Sequence, residues 1–142
     1  KVGIASASKN CRTVLDRTGL IDLVDAISDG TCIKHSKPDP SVFFVAAQRL
    51  RVLPWNCVGV EDAATGIESI HRAGMAALGI GSAAPGADIT VSDISEVSVD
   101  LLRKLFTEHQ SNIDPYLERT LAHVRFEMQA GYAATMGFGS KK

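Results

Sequence analysis

The stretch VGVEDAATG, Val58 to Gly66, decides the fold. An apolar run of strand length, Cys57 to Val60, ends in two adjacent carboxylates, Glu61 and Asp62. Small residues follow, then a helical pattern from about Ala63 to Arg72, closed by Gly74 in a C-cap position. Strand, polar turn and helix form the repeating unit of an α/β protein. Two neighbouring carboxylates repel each other unless a cation lies between them. The pair is therefore either a solvated strand end or half of a cation site whose remaining groups come from elsewhere in the chain.

The same unit recurs on both sides. Upstream, Val2 to Ala5 reads as a strand, SASKN (6–10) as a small polar turn, and Lys9 to Arg17 as a helix stopped by Gly19. LIDLVD (20–25) reads as a short turn or helix, and DAISDG (25–30) as a second strand ending at Asp29 and Gly30. In SKPDP (36–40), Pro40 is expected at the first helical position with Asp39 as N-cap, and Val42 to Leu50 makes the helix. Downstream, MAALGIG (75–81) is a fourth strand and ADITVSD (87–93) a shorter fifth. Val99 to His109 is a helix with Leu101, Leu102, Leu105 and Phe106 on its apolar side. This alternation predicts a Rossmann-like parallel sheet with helices on both faces. It assigns residues 1–109 to the core and 110–142 to a C-terminal helical extension or linker. In the latter, Asp114-Pro115 opens a helix carrying Leu117, Leu121, Val124 and Met128.

Composition narrows the function classes. With 45% hydrophobic and 22% charged residues, the 142-residue chain reads as a soluble globular domain. Fifteen basic against sixteen acidic residues give a net charge of −1, which offers no electrostatic footprint for nucleic acid or an anionic membrane. No apolar run reaches membrane-spanning length. Cys11, Cys32 and Cys57 are odd in number and lie in different elements, a pattern of reduced thiols in a cytoplasmic protein. The four histidines show no metal-ligand spacing. The chain opens on an apolar strand without an initiator Met, so a longer polypeptide is expected.

Ligands of parallel α/β sheets gather at the carboxyl ends of the strands. Three chemically useful segments fall there: Ser6 to Asn10, Lys37, and the pair Glu61 and Asp62. Ser6 and the amides after it offer a hydroxyl and N–H donors to an anion. Lys37, stiffened by Pro38, offers an ammonium. The acid pair suits Mg²⁺, which needs only one or two carboxylates beside a phosphate. Together these groups can surround a phosphoryl group and neutralise it.

IASAS (4–8), SKPDP (36–40) and GVEDAATGIESIHRAGM (59–75) resemble motifs two, three and four of the haloacid dehalogenase superfamily of phosphotransferases. The spacings, 31 residues from Ser6 to Lys37 and 24 from Lys37 to Glu61, suit that family, and the resemblance covers residues 1–108. Within it, the run SASKN is most similar to the β-phosphoglucomutases. The resemblance implies that Ser6 and the amide of Ala7 hold the transferring phosphoryl group, and that Lys37 bridges it to the nucleophile. Glu61 and Asp62 would bind Mg²⁺, while Ser8, Lys9 and Asn10 would grip the second phosphate of a sugar bisphosphate. The implied reaction converts β-glucose 1-phosphate to glucose 6-phosphate through an aspartyl-phosphate. A sugar-phosphate or phosphoglycolate phosphatase is the second expectation, and a non-catalytic phosphate- or partner-binding module the third.

One part has no counterpart. The family's first motif, a strand ending in two aspartates two residues apart, does not occur: no Asp-x-Asp lies anywhere in the 142 residues. The cap domain is absent too. The expectation is therefore a nucleophile and an acid/base outside this chain, on a missing N-terminal part or a partner chain, and no turnover by the chain alone.

Overall fold

The strands that the apolar runs predict all form, and every pairing between them is parallel. The structure, a computed structural model, describes residues 1–113. In chain order the elements are β1 (Gly3–Ala5), α1 (Cys11–Arg17), β2 (Ala26–Ser28), α2 (Ser41–Leu50), β3 (Val58–Glu61), α3 (Ala64–Arg72), β4 (Ala76–Ile80), β5 (Ile89–Val91) and α4 (Val99–Ser111). Short 3₁₀ turns at Ile21–Leu23, Pro54–Asn56 and Ile94–Glu96 join them. The expected helix from Asp114 through Met128 lies outside the described residues.

The strands do not make one continuous sheet. β1 pairs with β2, Ala5 opposite Ser28, while β4 lies between β3 and β5 with Glu61 opposite Gly79 and Ile80 opposite Val91. No ladder joins β1 to β3. Each strand-length apolar run of the described residues is already one of the five strands, so none is left to bridge the two pieces.

Side chains tie the pieces together instead. Val42, Phe43 and Ala47 of α2, Ile67 and Ile70 of α3, and Ala77 of β4 form one core, with Ala5 of β1 packed against it. Burying a side chain such as Ile70, fully enclosed here, stabilises by about 2 kcal/mol. On the opposite strand faces, Cys11 and Leu15 of α1 cover Ile4 and Ile27, while Leu105 of α4 covers Val58, Ala76 and Leu78. Strand alternation thus supplies a helix to each face of each piece, in line with the expected helices on both faces.

Helix ends follow local chemistry. After α3, the amide of Gly74 donates to His71 (2.9 Å) and that of Met75 to Ile70 (3.2 Å), closing the helix in a Schellman motif at the expected glycine. α1 starts at Cys11, two residues later than Lys9. There Ser6 Oγ accepts from the amide of Ser8 and Ser8 Oγ from that of Asn10, both at 3.1 Å, holding the backbone in successive turns. α2 also starts one residue later than expected, at Ser41 with Pro40 as the capping residue. The Asp39 carboxylate still accepts from the Ser41 amide at 2.9 Å. Among the described residues, no helix is long and apolar enough to cross a membrane.

Candidate functional site

Glu61 is the last residue of β3, and Asp62 the first beyond it. Lys37 comes from the loop before α2 and sets its ammonium directly against Glu61 Oε2. Their side chains are 19% and 11% exposed, so the pair is largely withdrawn from water. The Lys37 Nζ also stands 5.1 Å from the centre of the Phe43 ring, a cation–π distance. Glu61 Oε1 accepts from the Asp62 amide at 3.2 Å. Gly66 makes the arrangement possible: a β-carbon there would lie 2.1 Å from Glu61 Cδ.

The Lys37 loop is fixed from two sides. Ser69 of α3 donates its hydroxyl to the Asp39 carbonyl at 2.7 Å, and the Asp39 amide donates to Ser36 at 3.1 Å. The Ser41 hydroxyl, with the Ser41 amide, holds the Asp39 carboxyl below its ordinary pKa. The Lys37–Pro38 peptide is cis.

The second group of residues sits after β1. The Ser6 amide donates to Ser28 at 2.9 Å, and the Gly30 amide to Ser8 at 3.3 Å, so the turn 6–10 leans on the end of β2. A β-carbon at Gly30 would meet the Ala7 carbonyl oxygen at 2.3 Å. Behind this contact lies Asp29, buried, accepting from the Thr31 amide at 3.0 Å and from the Thr31 hydroxyl, with Arg12 at 3.8 Å. The Thr31 hydroxyl is the main reason that the Asp29 carboxyl titrates below its ordinary value. Ala7, Ser8, Lys9 and Asn10 are exposed, with Ser6 half-buried beneath them.

The sequence-predicted residues therefore gather into two groups, Lys37 with Glu61 and Asp62, and Ser6 through Asn10 on the end of β2. The carboxylates of Glu61 and Asp62 fit a hard divalent cation that keeps water or phosphate as its other ligands. Among the described residues, no cluster of three or more His, Cys, Asp or Glu side chains is positioned to hold a metal, so a closed protein cage is not what the pair offers. Sequence reasoning missed Phe43, Gly30 and Gly66 as parts of the site. The Asp29-Gly30 dipeptide at a strand end was a readable signal for the second, whereas Phe43 and Gly66 act through approaches that no local pattern announces.

A sequence profile of the haloacid dehalogenase-like hydrolases matches residues 1–74, just over half of the chain. The chain belongs to the haloacid dehalogenase-like hydrolases. This haloacid dehalogenase-like chain is 40% identical over 112 residues to the β-phosphoglucomutase of Bacillus subtilis (strain 168), an alignment covering 78% of the chain and 50% of the relative. Over 79 residues it is 39% identical to the fructose-1-phosphate phosphatase YqaB of Escherichia coli (strain K12), covering 56% of the chain and 42% of the relative. Among solved structures, the β-phosphoglucomutase from Clostridium difficile superposes with a TM-score of 0.75 at 34% identity, over 79% of this chain and 51% of that one. The haloacid dehalogenase-like chain thus spans about half the length of the relatives that it matches. Family and parallel α/β fold agree with the motif resemblance. The relatives include a mutase and a phosphatase, both named for phosphorylated sugars.

Proposed function

We propose that the chain is the phosphate- and magnesium-binding part of a phosphosugar mutase that resembles β-phosphoglucomutase. The observation that carries this reading is the meeting of Lys37 with Glu61, 24 residues apart in sequence, at a strand end that also bears Asp62. In this reading, Ser6 and the amide of Ala7 receive the oxygens of the transferring phosphoryl group, and Lys37 neutralises it. Ser8, Lys9 and Asn10, exposed on the same turn, bind the second phosphate of a bisphosphate. Glu61 and Asp62 hold Mg²⁺, which supplies charge neutralisation at the phosphoryl group when bound.

The nucleophilic and acid/base aspartates lie outside these 142 residues, on another part of the same polypeptide or a partner chain. A parallel strand entering between β1 and β3 supplies them in this proposal. Its support is the absence of a ladder between those two strands, together with a core that already spans both sheets. The three cysteines are free, which supports a cytoplasmic setting. Residues 110–142 are proposed as an extension or linker without a part in the chemistry.

The likeness to a fructose-1-phosphate phosphatase favours a second reading, hydrolysis of a sugar monophosphate. Asn10 separates the two. Calorimetric titration with glucose 1,6-bisphosphate and with glucose 6-phosphate, both in Mg²⁺, is the test. For a mutase, Asn10→Ala weakens the bisphosphate by about ten-fold and the monophosphate little. Equal weakening of the two supports the phosphatase.

A further inference from the structure

We propose that Lys37 is a tethered counter-ion of Glu61 that exchanges partners when ligands arrive. A divalent cation at the acid pair releases the ammonium from Glu61, and an anion then captures it. The inference rests on the metal and phosphate reading of the site given above, and concerns how the two ligands become linked.

The geometry points this way for three reasons. First, the ammonium and the Glu61 carboxylate are in direct contact with little exposure, so each is the main compensation for burying the other. A cation that comes to Glu61 faces a positive charge already in place and must displace it. Second, the surroundings hold the loop and the carboxylate but leave the ammonium a way to move. The Ser69 and Ser41 contacts fix Asp39, and Gly66 and the Asp62 amide fix Glu61. The Lys37 ammonium, by contrast, is carried on a flexible four-carbon stem, and while in contact with Glu61 it also stands 5.1 Å from the centre of the Phe43 ring. Third, the charges count correctly. Glu61, Asp62 and Lys37 together carry one net negative charge, and a divalent cation turns this into one positive charge. The displaced ammonium then stands half-desolvated without an anion, which a phosphate supplies. Each ligand thereby lowers the cost of binding the other, a reciprocal coupling between the two subsites.

The test uses the 142-residue chain, MgCl₂ and inorganic phosphate. Mg²⁺ affinity is measured by calorimetry without phosphate for the wild type and Lys37→Met. In the wild type, the Lys37 side-chain resonances are followed by NMR in the same titration, assigned by their loss in the variant. The expected result is about ten-fold tighter Mg²⁺ binding by Lys37→Met. The Lys37 signals should move in step with Mg²⁺ saturation and move again when phosphate is added. Equal affinities, or Lys37 signals that stay still while Mg²⁺ binds, overturn the exchange and leave the acid-pair reading standing. Failure of both proteins to bind Mg²⁺ overturns the acid-pair reading and the exchange with it. Lys37→Gln, which keeps a polar group at that position, serves in place of Lys37→Met where the methionine variant does not fold by circular dichroism.

Discussion

Cys32 and Cys57 are both half-buried, yet their surroundings push them in opposite directions. The backbone at Asp29, the Thr31 hydroxyl and the Arg49 guanidinium, 3.1 Å from the sulfur, lower the pKa of the Cys32 thiol. Burial raises that of Cys57. Iodoacetamide at neutral pH is therefore expected to label Cys32 well before Cys57, because the thiolate is the reacting species. Peptide mass spectrometry over a time course checks this, and the reverse order refutes it. Gly66→Ala tests the other residue-scale feature, since its methyl must push the Glu61 carboxylate out of its place beside Asp62 at the strand end. Alanine suits the interior of α3 better than glycine by about 1 kcal/mol, so the fold should survive. Calorimetry should nevertheless find Mg²⁺ affinity reduced by about ten-fold or more. The strand-end positions of Ser6 and Glu61, and a loop position for Lys37, were legible in the sequence from the apolar runs and the Lys-Pro pair. The roles of Gly66 and Phe43 were not, since each depends on how closely two distant segments approach.

At the level of elements, α2 ends in an unusual way. Arg51 follows the helix with φ 56° and ψ 43°, its amide donating to Gln48 and that of Val52 to Ala47, both at 3.0 Å. This left-handed position is one that glycine takes without a β-carbon clash. Arg51→Gly should therefore stabilise the chain by about 0.5–1 kcal/mol, the relief of the clash being partly offset by glycine's larger unfolded-state entropy. A higher urea midpoint at unchanged m-value is the measurement. Nothing in RLRVLP (49–54) marks Arg51 for that conformation, so the Val42–Leu50 helix was readable while the shape of its end was not. α3 was legible at both ends, through the small residues after the acid pair and through Gly74. For α1, Val14 and Leu15 at helical positions suggested a helix from Lys9, and the hydroxyls of Ser6 and Ser8 won the backbone for a turn.

At the scale of the molecule, four carboxyls among the described residues share one trend. Asp29, Asp39, Asp93 and Glu96 titrate below their ordinary values, chiefly because the hydroxyls of Thr31, Ser41, Ser95 and Ser92 donate to them. The unfolded chain thus binds more protons than the folded one in the acid range. The stability these groups contribute is complete above the unfolded carboxylate values, near pH 4, and drains away as pH falls through the lowered ones. Urea midpoints taken from about pH 6 downward should stay level and then drop below about pH 4, with a shallower drop for Asp29→Asn. The chain alone is also expected to show no conversion of β-glucose 1-phosphate, since no Asp-x-Asp is present. Steady turnover in a coupled glucose 6-phosphate assay refutes that expectation. The parallel α/β pattern was legible across residues 1–109, and the missing first-motif strand implied an incomplete sheet; which strands would be left unpaired was not legible, because strand propensity says which segments extend and not which of them touch. The division into two sheets has a practical side. α2 and α3 already clasp both sheets through one core, although β1 and β3 share no ladder. Under the proposed function, a strand from a second piece completes the site there, so fusing the two pieces to separate baits would convert an encounter between the baits into a catalytic signal.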